Sequence, residues 1–218
     1  MLQELLDGLA EQERRAVLAR MVRRSFRKGD TLFHEGDLGD SMHLLVKGKV
    51  AVRVATLAGD VVTLTVLGPG DAFGEQALLR SDARRTASVV ALEPVETRML
   101  HRADFDDLRR RVPAMERMLV DALAAQVHRL TGQVLESLYV GADTRVLRRL
   151  AGLLDIYANG HDGPVEIAVR QEDVASMAGT TRPTANRVLK QLEDEGVLHL
   201  GRGRIVVVDR EALHRKAR

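Results

Sequence analysis

No cysteine occurs in this chain. Its absence excludes disulfides, thiol nucleophiles and cysteine-ligated iron–sulfur clusters. No apolar run approaches the ~20 residues that a membrane-spanning helix needs. Met1-Leu2-Gln3-Glu4 lacks a signal-peptide pattern. A soluble, cytoplasmic protein is therefore expected. Low-complexity segments and internal repeats are missing as well. The seven histidines show neither metal-ligand nor triad spacing, so neither a metal site nor an enzyme is expected. A strong net charge is also lacking: 33 Lys and Arg stand against 31 Asp and Glu, formally +2. Bulk charge thus gives no sign of a nucleic-acid binder.

What is present points elsewhere. The 218 residues suffice for one large or two small domains, and 45% of them are hydrophobic, enough for a packed core. Charge is unevenly placed. Between Arg182 and Arg218 nine basic residues face five acids, a basic excess at the C-terminal end that a solvated charged face would also produce.

Residues 2–22 carry apolar positions at helical spacing, interrupted at Gly8, and predict two short helices. From Ser25 the period changes. Thr31–Phe33, Met42–Val46, Val50–Ala55, Val61–Leu67, Val89–Leu92 and Glu96–Leu100 are short strand-like runs between glycine turns. That pattern predicts a β-barrel or jelly roll.

The most informative stretch is Phe73-Gly74-Glu75-Gln76-Ala77-Leu78, followed by Arg85-Thr86-Ala87. Gly74 permits a close backbone approach. The residues after it read as one helical turn, whose free N–H groups attract anions. Arg85 adds a fork of donors matched to a phosphate, and Thr86 a hydroxyl beside it. Glu75 suits ligand hydroxyls such as those of a ribose. The bland alternative is a hairpin in which Glu75 and Arg85 pair with each other.

This stretch resembles the phosphate-binding cassette of cyclic-nucleotide-binding domains, through Gly-Glu-x-Ala-Leu, a spacer and Arg-Thr-Ala. The spacing of Leu32-Phe33, Gly36, Gly39 and Gly48 resembles the same domain's first signature. His43 departs from it, standing where an apolar residue is usual.

Ala103–Arg111 predicts a helix stopped by Pro113, and a longer helix follows from about Ala114 to Leu138. Along it Val120, Leu123, Val127, Leu130 and Val134 recur at steps of three and four, a heptad seam. The seam predicts either core packing or pairing with a second copy. Gly141-Ala142-Asp143 reads as a hinge. Thr144–Ala158 is again helical, Asn159–Pro164 ends it, and Val165–Val169 is strand-like.

Gln171–Ala178 then predicts a short amphipathic helix, Gly179-Thr180 a turn, and Thr181 the cap of a second helix running to Glu195. Pro183 is tolerated in that helix's first turn. Val188, Leu189 and Leu192 form its inner side, leaving Arg182, Thr184, Asn186, Arg187 and Lys190 outside. Leu198–Leu200 and Arg204–Val208 flank Gly201-Arg202-Gly203 as a hairpin wing. An αα-hairpin in an ordinary helical core is the alternative to this helix-turn-helix pattern.

The order of parts resembles the CRP/FNR family of bacterial transcription regulators, over nearly the whole chain. The resemblance implies an α+β protein with a sensor barrel or jelly roll in residues 1–112, a dimerisation helix and hinge in 113–140, and a winged helix-turn-helix in 141–218. It implies that Gly74 and Glu75, with Gln76 and Ala77 beside them, bind the cyclic phosphate and ribose. Arg85 and Thr86 take the phosphate, and Val52 and Leu64 line the base pocket. By the same resemblance, Arg182 and Arg187 are expected to read bases. Thr181, Thr184, Asn186, Lys190, Arg202 and Arg204 lie on the expected DNA surface. A homodimer, double-stranded DNA with an inverted-repeat operator, and RNA polymerase are the implied partners; cAMP is the first candidate effector. Haem sensing also occurs in the family, and no histidine spacing selects it.

Two departures bear on specificity. Pro183 stands where the family often has Glu, and proline cannot accept from cytosine N4. Leu130-Thr131 stands where a Thr-Ser pair contacts adenine in the cAMP-responsive member; Thr131 keeps a hydroxyl and Leu130 does not. A second reading therefore stays open: the same DNA-binding regulator, constitutive or answering a different effector.

Overall fold

The computed structural model describes residues 9–79, 82–112, 114–158 and 163–218. The predicted helix within residues 2–7, the Pro113 stop and the turn at 159–162 fall outside them. The fold is α+β in two compact units. One comprises the described residues up to Val54 and Leu67–Leu130; the other comprises Ala55–Val66 and Thr131–Arg218.

The first part of the chain opens with α1 (Glu11–Arg20), whose start is held by the Glu13 carboxylate accepting from the Ala10 N–H at 3.1 Å. Then come β1 (Val22–Phe26), β2 (Thr31–Phe33), β3 (Ser41–Lys47), β4 (Val50–Ala55), β5 (Val61–Leu67) and β6 (Ala72–Phe73). A 3₁₀ turn at Glu75–Leu78 leads to β7 (Ser88–Ala91), β8 (Val95–His101) and α2 (Arg102–Arg111). The strands form two four-stranded sheets, ordered β1-β8-β3-β6 and β2-β7-β4-β5. The pairs are antiparallel wherever the register is defined.

β3 is the pivot of this packing. Successive strand residues point to opposite faces, and both faces of β3 are covered. Met42 and Leu44 join Val17, Leu78, Leu100, Phe105, Leu108 and Met115 in one core. Leu45 joins Val50, Phe73, Val89, Ala91 and Val95 in the other. Phe73 and Leu78 thus anchor the two ends of the cassette in different cores. Phe105 is almost wholly enclosed, and truncating such a phenylalanine costs about 3–5 kcal/mol.

α3 (Ala114–Tyr139) leads into α4 (Ala142–Ala158), β9 (Val165–Ile167), α5 (Gln171–Met177), α6 (Arg182–Asp194), β10 (Leu198–Gly201), β11 (Arg204–Val207) and α7 (Arg210–Lys216). The core of the C-terminal part is built by Val146, Leu150, Leu153 and Leu154 of α4 with Val188, Leu189 and Leu192 of α6. β10, β11 and β9 form a three-stranded sheet in that order. Two devices join α3 to this core. Glu136 is held by Arg148 at 3.2 Å and also by Arg149. Arg145 donates to the carbonyls of Val140, Ala178 and Gly179, occupying acceptors that the helix ends leave free.

Three elements escape the sequence pattern. β1 has no apolar alternation because neither face is deeply buried; its pairing with β8 holds it. β6 is only two residues long. α7 rests on one enclosed side chain, Leu213, and on Asp209 accepting from the Ala212 N–H at 2.8 Å.

Candidate functional site

Gly74 immediately precedes the 3₁₀ turn and has φ +76°, the left-handed region that glycine adopts most easily. A Cβ there would lie 2.5 Å from Arg85 Nη1. Glycine is thus needed both for conformation and for space.

Arg85 is only 8% exposed. Its Nη1 donates to the Ser41 carbonyl at 2.7 Å and to the Gly74 carbonyl at 3.2 Å, and Nη2 to Ser41 Oγ at 3.2 Å. The guanidinium carbon lies 4.1 Å from the Phe33 ring centre. Nε is enclosed and finds no hydrogen-bond partner among the described residues. Burial pulls this arginine below its ordinary pKa, and Asp40, Asp37 and Glu75 offset part of that effect through space. A buried guanidinium that spends its bonds on neutral oxygens and keeps a donor unpaired has the chemistry to take an anion. The residues present therefore fit a phosphate. The alternative of a hairpin closed by Glu75 and Arg85 does not describe these contacts, because Arg85 turns to Ser41 and Gly74.

Of the other cassette residues, Glu75 is half-buried, Gln76 and Thr86 are exposed, and Ala77 is buried. Beside the turn an open cavity of about 530 Å³ is lined by Gln76, Leu79, Asp82, Ala83, Arg84 and Leu123. Val52 on β4 is half-buried and does not line this cavity, while Leu64 on β5 and Thr131 on α3 are exposed. Ser41 is the residue the sequence reading missed. It follows Gly39-Asp40 in the first glycine-spaced signature, but nothing local ties it to Arg85, 44 positions away.

The helical pair in the C-terminal part is α5 and α6. Thr181 caps α6, accepting from the Thr184 N–H at 3.4 Å, with Pro183 in the first turn. Arg182, Arg187 and Lys190 are exposed as expected, whereas Thr184 and Asn186 are half-buried. Asn186 Oδ1 is enclosed without a partner among the described residues. β10 and β11 form the wing, with Arg202-Gly203 at its tip and Gly203 at φ +72°. Arg204 pairs with Glu166 at 3.3 Å. Arg187 Nη2 donates to Asp143 Oδ1 at 2.6 Å, another pairing absent from the sequence reading. On α3, Val120, Val127, Leu130 and Val134 are each more than half exposed, and Leu123 is half-buried.

Residues 23–112 match the family model of the cyclic nucleotide-binding domain, and residues 144–216 that of the Crp-like helix-turn-helix domain. The cyclic AMP receptor protein of Thermus thermophilus is 38% identical over 203 residues, covering 93% of this chain and 91% of that protein. The chain belongs to the CRP/FNR family of transcription regulators. Among its CRP relatives is the cAMP-activated global transcriptional regulator of Pasteurella multocida, 30% identical over 179 residues, which cover 82% of this chain and 85% of that protein. The crystal structure of the Thermus thermophilus catabolite activator protein matches 98% of this chain and 97% of its own, at 35% identity and a TM-score of 0.57. A CRP/FNR regulator is not an enzyme. No described helix is long and apolar enough to cross a membrane.

Proposed function

We propose that this regulator is a cytoplasmic homodimer whose binding to an inverted-repeat operator is controlled by a cyclic nucleotide, with cAMP the first candidate. The observation that carries the reading is Arg85, enclosed beside left-handed Gly74 with its Nε unpaired. In this reading Arg85 and Thr86 take the cyclic phosphate, Gly74 gives it room, and Glu75 accepts from the ribose. The names of the Thermus and Pasteurella relatives support cAMP as effector. Arg182 and Arg187 read base edges, Arg202 on the wing touches phosphate, and RNA polymerase is the further partner. The ligand must bind the operator-competent arrangement of the two DNA heads more tightly than the other, or it shifts nothing.

Calorimetric titration of the purified protein with cAMP and with cGMP tests this. Arg85→Ala should weaken binding by at least about tenfold, since a charge-assisted contact contributes roughly 1.5–3 kcal/mol. Circular dichroism should stay native. A wild-type protein that binds neither nucleotide returns the reading to a regulator that is constitutive or answers another effector.

A further inference from the structure

On the exposed face of α6 and on the wing, the cations divide into two kinds. Arg182, Lys190 and Arg202 have no ion-pair partner among the described residues. Arg204 on the wing pairs with Glu166 within its own sheet, and Arg187 on α6 is paired between helices: Asp143, in the first turn of α4, accepts from its Nη2 at 2.6 Å. Both side chains are at least half exposed, at 60% and 52%. An exposed pair of this kind adds little to folding stability. The contact therefore has to be judged by what it does on a surface that meets DNA.

Two physical effects follow from it. A long arginine side chain samples many rotamers, and a carboxylate fixed on a neighbouring helix restricts them. Asp143 occupies one N–H of Nη2 and leaves Nε and Nη1 available, so the guanidinium stays able to face a guanine edge. The carboxylate also brings a negative charge next to a base-reading candidate that could otherwise swing to the phosphate backbone. Phosphate contacts carry most non-specific affinity, and base contacts carry the sequence preference. A group that discourages the first and orients the second raises the difference between them, which is what specificity measures.

We propose that Asp143 is a positioning residue that sets DNA specificity: it holds Arg187 ready for a base edge and keeps it off the phosphates. The proposal rests on the reading of α6 as the DNA-reading helix, and its test separates the two.

The experiment uses the full-length dimer, first saturated with whichever cyclic nucleotide the titrations identify, or without effector if none binds. Wild-type protein selects preferred duplexes from a random pool. Wild type, Asp143→Asn, Arg187→Ala and the double variant are then titrated against the winning duplex and a scrambled one over a salt series. Asp143→Asn should tighten binding to the scrambled duplex by about two- to thirtyfold, the scale of the two exposed charge pairs in a dimer. Because the dimer carries two such pairs, its salt slope there should steepen by about two phosphate contacts, roughly 1.8. Its preference at the base read by Arg187 should relax. With Arg187→Ala already in place, Asp143→Asn should change none of these. If Asp143→Asn matches wild type in base preference and salt slope, or changes both equally in the Arg187→Ala background, the positioning role is wrong. If wild type selects no preferred duplex, or Arg187→Ala leaves the preference intact, the reading of α6 itself fails.

Discussion

His43 occupies an interior position on β3, between the two aromatic walls of Phe26 and Phe33 and stacked at 5.3 Å on Phe73. Its Nδ1 lies 3.0 Å from Thr97 Oγ1. Burial, and then the nearby Arg85 charge, lower its pKa from the ordinary 6.5 to about 4. The ring is therefore neutral at neutral pH and packs as an apolar disc, which is how histidine meets a requirement for an apolar side chain at this point. Below its ordinary pKa the unfolded chain takes up a proton that the native ring refuses. Stability from this group is complete above about pH 6.5 and falls as the pH drops towards about 4. The limiting slope is about 1.4 kcal/mol per pH unit. Urea unfolding at pH 7 and pH 5 should show a larger loss for wild type than for His43→Leu. Equal losses would mean that the ring is protonated without penalty. The site as a whole was readable to the extent that it is contiguous. Gly74, Glu75 and Arg85 announce themselves by spacing, whereas Ser41 and Asp143 act on arginines 44 positions away, where no local pattern connects them.

At the level of elements, α3 carries the clearest unmet requirement. Val120, Val127, Leu130 and Val134 keep the spacing of a heptad seam and stay more than half exposed in the single chain. A stripe of that kind on a long helix is stable when a second helix covers it. Leu123 and Val127 replaced together by glutamate should give a monomer in sedimentation velocity at micromolar concentration, while wild type sediments as a dimer. A monomeric wild type would leave the stripe unexplained and remove the dimer. Other elements show why parts of the fold were legible. β4 and β5 coincide with their expected limits, Val50–Ala55 and Val61–Leu67, because apolar residues and glycine turns mark both ends. β1 and α7 went unread because pairing with β8 and a single anchor at Leu213 hold them, and neither leaves a periodic signature.

At the scale of the whole molecule, symmetry and charge act together. A dimer presents two copies of α6, so the operator should be an inverted repeat whose half-sites lie one helical turn apart, about 34–36 Å. Within each half-site the reading should be uneven. Pro183 has no acceptor for cytosine N4, so the base pair beside it should be held less strictly than one facing Arg182 or Arg187. The wing contributes differently. Arg202 is exposed at the tip of the β10–β11 hairpin and has no ion-pair partner among the described residues, while Arg204 is already engaged by Glu166. Arg202 is therefore the wing cation free to meet phosphate. Arg202→Ala should weaken binding to preferred and scrambled duplexes by the same factor. Because each dimer carries two wings, it should also reduce the slope of log affinity against log salt by about two contacts' worth, roughly 1.8. A titration across salt concentrations measures both. A loss confined to the preferred duplex would place Arg202 on a base, and an unchanged salt slope would take the wing off the DNA.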